Sequence, residues 1–494
     1  MQTVTILLSF VCRTFFARLL ETEYLGLSGL FSNIISVLSL SELGVGSVII
    51  IHLYKPLAEN DQERICKLMN FYRKVYTAVG IFIICCGLAL APFIGKLVKN
   101  DTEIPHLEGY FLLFILQSAS SYFFAYKQSL LTASQREYIC SVVRQIFNIL
   151  MNILQILFLC FTRQYIAYLI VSIVTSLGTN VAMSVIADRK FPYLKKGKSL
   201  QLDKDQTRGM FKNVSSMMLH KIGNTAINST DNILISSMVG VIYTGLYSNY
   251  LLIMNAVTQI LTIGLNAVSA SIGDFNAQKT TQERKELFDA MYLLSMWLFG
   301  MSAICFCCLF QPTIKLWLGE NYLLDFGIVL IVSVNFFVSG LLRVPNTFSD
   351  VNGLYTKTKF KPIAMALINL TVSIVCLKLW GLIGVFIGTL ASYLLIGIWV
   401  DPFFLHKDVF KIPVGKYFSS LAGNVAVVVA IGALTYGVVQ MTSFYVGKVL
   451  ASVLISNGLI CLCCCRTKAF HFIFQRVKSL FVQKKRNLGR MLWH

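Results

Sequence analysis

Residues 288–314 read FDAMYLLSMWLFGMSAICFCCLFQPTI, 27 residues with a single charge, Asp289. As a helix this run rises roughly 40 Å, more than the ~30 Å hydrocarbon core of a bilayer. Working outward, thirteen comparable runs accompany it. All fourteen lie near 2–20, 25–53, 75–95, 108–126, 142–162, 165–187, 210–239, 242–272, 288–314, 322–342, 362–377, 380–400, 417–439 and 444–465. Backbone amides in lipid must be satisfied within the segment, so runs of this length are helices. The short alternating strands of a membrane barrel are absent from the pattern. Composition agrees: 56% of the 494 residues are apolar, 13% are charged, and the mean hydropathy is +0.68. A soluble enzyme carries about twice that charge. The expected fold is an all-α integral membrane protein with 14 transmembrane helices. Val4–Leu8 has no basic segment ahead of it and does not read as a signal peptide.

The net charge of +20 has a definite address. Counting span-edge residues with the adjoining loop, 34 of the 43 Lys and Arg fall in the even-numbered loops and the C-terminal tail. Seven fall in the odd loops, and Arg13 and Lys221 lie inside spans. The positive-inside rule therefore puts the even loops and both termini in the cytoplasm. The tail from Arg466 to Arg490 has no acidic residue, and Phe470, Ile473, Phe474, Val477, Leu480 and Phe481 recur at helical spacing. It reads as an amphipathic helix on anionic inner-leaflet lipids, with no nucleic-acid role. The cysteines fall in or beside the spans, where they act as small apolar residues, so no metal site is expected, the CxxC within Cys461–Cys465 included.

The chain repeats itself at an offset of 220. Gly44 meets Gly264, Gln62-Glu63-Arg64 meets Gln282-Glu283-Arg284, Tyr72 meets Tyr292, Gly80 meets Gly300, Pro92 meets Pro312 and Ile94 meets Ile314. One residue off that register, Tyr24-Leu25-Gly26-Leu27 resembles Tyr243-Thr244-Gly245-Leu246. Six spans separate the copies, an even number, so both copies run the same way across the membrane. The expected organisation is an N-lobe over 1–200, a C-lobe over 201–408, two further helices over 409–465, and a basic cytoplasmic tail over 466–494. Two parallel six-helix lobes around a central cavity are an arrangement of alternating-access transporters.

Ionisable residues inside spans are functional candidates, because each costs about 2.5–3.5 kcal/mol or more unless it meets water or a partner. Arg13, Glu42, Lys221 and Asp231 qualify, with Arg18 near the outer end of the first span. Arg13 and Lys221 are expected to face the cavity between the lobes, with structural ion pairs as the alternative. Glu42, beside Gly44 and Gly46, and Asp231 are candidates for H+ or Na+ coupling, with an interhelical hydrogen bond as the alternative for Glu42. His220, Asn224, Asn228, Asn232, Asn249, Asn255, Gln259 and Asn266 suggest a wet interior, though Asn-rich spans also serve as interhelical glue. No catalytic machinery or cofactor is indicated. Gly197-Lys198-Ser199 lacks the Walker glycine, its place being taken by Pro192, and no HExxH, GxSxG or dinucleotide fingerprint occurs.

Several stretches of the first eighty residues then become specific. They are Arg13-Thr-Phe-Phe16, Glu23-Tyr-Leu-Gly-Leu-Ser-Gly-Leu-Phe31, Leu38-Ser-Leu-Ser-Glu-Leu-Gly-Val-Gly46, Leu53-Tyr-Lys-Pro-Leu-Ala58 and Asn70-Phe-Tyr-Arg-Lys-Val-Tyr76. Together with Gly353-Leu-Tyr-Thr-Lys-Thr-Lys-Phe-Lys-Pro362 they resemble the bacterial polysaccharide transporter family, the lipid-linked repeat-unit flippases of the multidrug/oligosaccharidyl-lipid/polysaccharide exporter superfamily. The resemblance covers most of the chain and is weakest over the last two spans. It implies a flippase of the bacterial cytoplasmic membrane. Such a protein moves undecaprenyl-pyrophosphate-linked oligosaccharide from the inner to the outer leaflet for O-antigen, capsule or exopolysaccharide assembly. It implies a polysaccharide polymerase and glycosyltransferases as partners. It also places cavity-lining arginines on the first helix, near Arg13 and Arg18. The alternatives are a multidrug/cation antiporter of the same superfamily and a membrane-embedded polysaccharide polymerase or ligase.

Overall fold

The computed structural model describes residues 2–39, 45–99, 104–196, 225, 229–278, 280–354 and 357–472. The described residues are helical, with no strand among them. They divide into two compact units, one of residues 1–252 with 362–370 and the other of residues 253–361 with 371–494.

The first unit contains α1 (Gln2–Leu19), α2 (Thr22–Leu38), α3 (Val45–Ala58) and α4 (Gln62–Leu90). A 3-10 turn at Ala91–Phe93 and a last α-turn at Ile94–Leu97 prolong α4 past Pro92. Next come α5 (Leu107–Ala133), α6 (Glu137–Thr162), α7 (Tyr165–Lys190) and the short α8 (Tyr193–Lys196). A π-turn at Ile235–Val239 leads through Gly240, at φ +154°, into α9 (Val241–Gln278), whose first three turns belong to this unit. The second unit takes the rest of α9, then α10 (Thr281–Trp317), α11 (Phe326–Val351), most of α12 (Lys361–Trp380) and α13 (Leu382–Ser392). It ends with α14 (Ile398–Phe404) between π-turns Tyr393–Gly397 and Leu405–Phe410, then α15 (Gly415–Met441) and α16 (Tyr445–Cys464).

Ten helices among the described residues are long and apolar enough to cross a membrane. The chain is a multi-pass membrane protein. The helix α5 is more polar, carrying Gln117, Ser118, Ser120 and Ser121. Span 210–239 is described only at 225 and from 229 onward, and most of the basic tail lies outside the described residues.

Helices outrun the apolar spans at their charged ends. Span 75–95 is the inner part of a helix starting at Gln62, where the Asp61 side chain accepts from Arg64 N at 2.9 Å. Span 288–314 belongs to a helix opened by a capping box between Thr280 and Glu283. The repeated Gln-Glu-Arg triplet thus marks the first turn of α4 and of α10. Pairs such as Lys67–Glu63 (2.7 Å) and Lys285–Asp289 carry both helices beyond the apolar segment. Span 322–342 also falls short of its helix: α11 runs to Val351 and encloses Arg343.

Packing repeats along with sequence. The helix α4 packs on α5, as α10 packs on α11. A Cβ on Gly80 would meet Tyr122 and Phe123 of α5 at 3.4 Å, and one on Gly300 would meet Phe337 of α11 at 3.4 Å. Asp188 accepts from Lys127 at 2.8 Å in the first unit. Asp408, 220 residues on, accepts from Lys357 at 2.9 Å in the second.

The other repeated motif makes a direct contact. A Cβ on Gly26 would lie 2.0 Å from the carbonyl oxygen of Val241, and one on Gly245 would lie 2.5 Å from that of Thr22. Glycine at both places lets the backbones of α2 and α9 touch, the small-residue contact that close helix crossings in membranes require. Lys99 ties down the same region: its N–H donates to Ser236 O at 3.0 Å, and its carbonyl accepts from Val241 N at 3.1 Å.

The last two helices pack on α10. With α11, α10 and α15 enclose an apolar cavity of about 350 Å³, lined by residues including Ala303, Leu330, Phe337, Val429 and Tyr436.

Candidate functional site

Arg13 lies eleven residues into α1, roughly 16 Å along the helix axis. Its guanidinium Nη2 donates to Ser248 O at 3.2 Å and to Ser248 Oγ at 2.9 Å. Ser248 Oγ in turn donates to Gly245 O at 2.6 Å, which fixes the hydroxyl as an acceptor for the arginine. No carboxylate pairs with Arg13 among the described residues. Two neutral acceptors leave the positive charge uncompensated and three of its five N–H groups uncommitted. Such a guanidinium suits a bidentate contact to phosphate or carboxylate.

A polar and aromatic wall flanks it. Gln155, buried on α6, accepts from Cys12 Sγ at 3.5 Å and donates to Ser172 Oγ at 2.7 Å. Phe16 meets Tyr168 edge-on at 4.8 Å. Tyr165 sits 4.7 Å from Tyr24 and 5.0 Å from Tyr110, and its hydroxyl lies 2.8 Å from Ser28 Oγ. Asn249, next to Ser248 and wholly buried, has neither amide atom hydrogen-bonded among the described residues. An orphaned amide costs roughly 1–3 kcal/mol.

The remaining expected site residues are scattered. Arg18 is exposed on the last turn of α1. Asp231 stands in the helical stretch 229–234, where its Oδ1 accepts from Asn369 Nδ2 at 3.5 Å. Glu42 and Lys221 lie outside the described residues, as do His220, Asn224 and Asn228. Asn255 and Gln259 are exposed on α9.

Sequence reasoning missed Ser248 and the four tyrosines, which carry no charge to mark them in an apolar span. It also missed Arg343, counted there as a loop cation. In the second unit Arg343 Nη1 donates to Thr262 Oγ1 at 3.2 Å, and the guanidinium lies over the Phe299 ring at 5.3 Å. It too has no carboxylate partner among the described residues. Lys361, by contrast, is neutralised: it donates to buried Asp401 and to Asn346 Oδ1 at 2.8 Å.

Solved structures share this fold. The chain is similar to a structure of the lipid II flippase MurJ in an inward closed conformation, with a TM-score of 0.66 and 13% identity over 93% of this chain and 97% of that one. An inward-facing multidrug resistance MATE family transporter of the MOP superfamily matches with a TM-score of 0.64 and 13% identity, over 82% of this chain and 95% of that one. A single-site mutant of the Vibrio cholerae MATE transporter VcmN matches with a TM-score of 0.58 and 15% identity, over 84% of this chain and 95% of that one. No curated protein matches the sequence. The model of the family described as polysaccharide biosynthesis protein matches residues 15–324, well over half of the chain, and the protein belongs to that family.

Proposed function

We propose that the protein is a flippase that moves undecaprenyl-pyrophosphate-linked oligosaccharide units from the inner to the outer leaflet by alternating access, for O-antigen, capsule or exopolysaccharide assembly. Membership of a polysaccharide biosynthesis family and a fold shared with a lipid II flippase support it. One observation carries it: Arg13 stands inside a membrane helix with only neutral partners among the described residues. A cation left unpaired at that depth costs several kcal/mol in the absence of substrate and recovers that cost when a pyrophosphate binds. Arg18 and Lys221 join Arg13 as substrate contacts. The tyrosine cluster and Asn249 suit the sugars, since aromatic faces and amides bind polyols. The apolar cavity beside α15 suits part of the polyprenyl chain.

Energy comes from two sources in this reading. An inside-negative potential favours outward anion movement by ~2.3 kcal/mol per charge per 100 mV. Coupling to H+ or Na+ runs through Asp231, whose carboxylate meets the Asn369 amide, or through Glu42. The protein works in the bacterial cytoplasmic membrane with both termini inside, alongside glycosyltransferases and a polysaccharide polymerase. The second reading, a multidrug/cation antiporter, draws on the MATE neighbours.

Reconstitution separates the two. In proteoliposomes the flippase exposes a fluorescent lipid-linked oligosaccharide to an external quencher and does not export a fluorescent organic cation. Cation export without oligosaccharide movement would overturn the proposal.

A further inference from the structure

At one end of the first unit, α4, α5, α7 and α8 enclose a second cavity of about 260 Å³. Its polar lining is Asn70, Arg73, Tyr126, Lys127 and Asp188, and Leu194 lines it from α8. This volume far exceeds the ~30 Å³ share of one water. Lys127 donates to Asp188 at 2.8 Å and to Ser184 Oγ at 2.8 Å, so two of its three protons are committed and its charge is matched. Arg73 is exposed and has no hydrogen-bond or ion-pair partner among the described residues. The pocket is thus left with one unmatched positive charge, with donors on Arg73, Lys127 and Tyr126.

Its depth is the second observation. Arg73, Lys127 and Asp188 fall one or two residues beyond the ends of the apolar runs 75–95, 108–126 and 165–187. All three ends adjoin basic even-numbered loops. That is headgroup level on the cytoplasmic side, where a tyrosine such as Tyr126 is also at home. Asp188 would repel a doubly charged phosphate or pyrophosphate. A phosphodiester carries one negative charge and matches Arg73, the one free cation of this pocket among the described residues.

We propose that this pocket holds the phosphodiester headgroup of an anionic inner-leaflet phospholipid, bound by Arg73 and by the remaining proton of Lys127. The site is separate from the Arg13 site and independent of what the protein carries. Anionic lipid is concentrated at this surface, and a charge-assisted contact adds selectivity for it.

The test is native mass spectrometry of the purified full-length protein titrated with dioctanoyl phosphatidylglycerol, with dioctanoyl phosphatidylcholine as the neutral comparison. Arg73→Gln sits on an exposed position, and the basic tail is present in both proteins, so tail binding cancels. The proposal expects the tightest phosphatidylglycerol event to weaken about tenfold in Arg73→Gln, to be largely kept in Arg73→Lys, and to exceed phosphatidylcholine binding in the wild type. Equal phosphatidylglycerol binding by wild type and Arg73→Gln would overturn it. Displacement of the lipid by excess inorganic phosphate would assign the pocket to free phosphate and overturn the lipid reading.

Discussion

Gly26→Ala probes the contact between the two copies of the repeated motif. The added methyl would lie 2.0 Å from Val241 O and 2.8 Å from Val241 C, both backbone atoms that no rotamer change can move. Ordinary carbon contacts begin near 3.5 Å, so α2 and α9 must separate by roughly 1.5 Å. Overpacking of this kind costs about 1–3 kcal/mol. In the proposed alternating-access cycle the cost falls on the state in which these helix ends touch and is relieved where they part. At 1.4 kcal/mol per factor of ten, the open population then rises about 5-fold to 150-fold. The amides of Lys99 and Val241 report it, because each bonds across to another segment, to Ser236 O and Lys99 O. Hydrogen exchange of peptides covering these amides, in nanodiscs, reads the open fraction when reclosing is fast. The variant should exchange faster by that factor. Gly29→Ala is the control, since its methyl meets only Thr244 Cγ2 at 3.3 Å. Unchanged exchange in a folded Gly26→Ala protein would refute the reasoning.

Three further outcomes follow from the second unit. Asp401→Asn strands the buried Lys361 charge and should cost about 3–5 kcal/mol, while Lys361→Met/Asp401→Leu recovers most of it; a thermal-unfolding cycle in detergent checks this, and additive losses would contradict it. Gly388→Ala puts a methyl 2.0 Å from Ser373 Oγ and 2.6 Å from its backbone N, so folded yield should fall sharply by size-exclusion chromatography. Gly423→Ala, with no atom within 4 Å, should leave yield unchanged. Arg343→Gln should slow oligosaccharide translocation at least several-fold with unchanged melting temperature; a variant that only melts earlier would make Arg343 a packing residue.

Hydropathy made most of the fold legible, because lipid forces apolar helices onto any chain that crosses it. The triplets at Gln62 and Gln282 were visible as a repeat, but that they open α4 and α10 was not, because hydropathy marks only the apolar part of each helix. The motifs around Gly26 and Gly245 were visible as a repeat, but their mutual contact was not, because nothing in one strand of sequence says which glycines meet. Arg13 stood out by its charge against an apolar background. Tyr24, Tyr110, Tyr165 and Tyr168 did not, since aromatic residues are ordinary in spans. Arg343 and Lys361 both looked like loop cations. Only three-dimensional neighbours separate them: among the described residues Arg343 has no carboxylate partner and lies over Phe299, and Lys361 is neutralised by Asp401.

In the proposed mechanism the Arg13 guanidinium, which has no carboxylate partner among the described residues, engages the pyrophosphate of a lipid-linked oligosaccharide. The direct measurement is initial translocation rate in proteoliposomes for wild type, Arg13→Gln and Arg13→Lys, at matched protein density and melting temperature. Arg13→Gln should lose tenfold or more, with partial rescue in Arg13→Lys, as expected for a charge-assisted contact worth about 1.5–3 kcal/mol. Wild-type rates in a folded Arg13→Gln protein would contradict it.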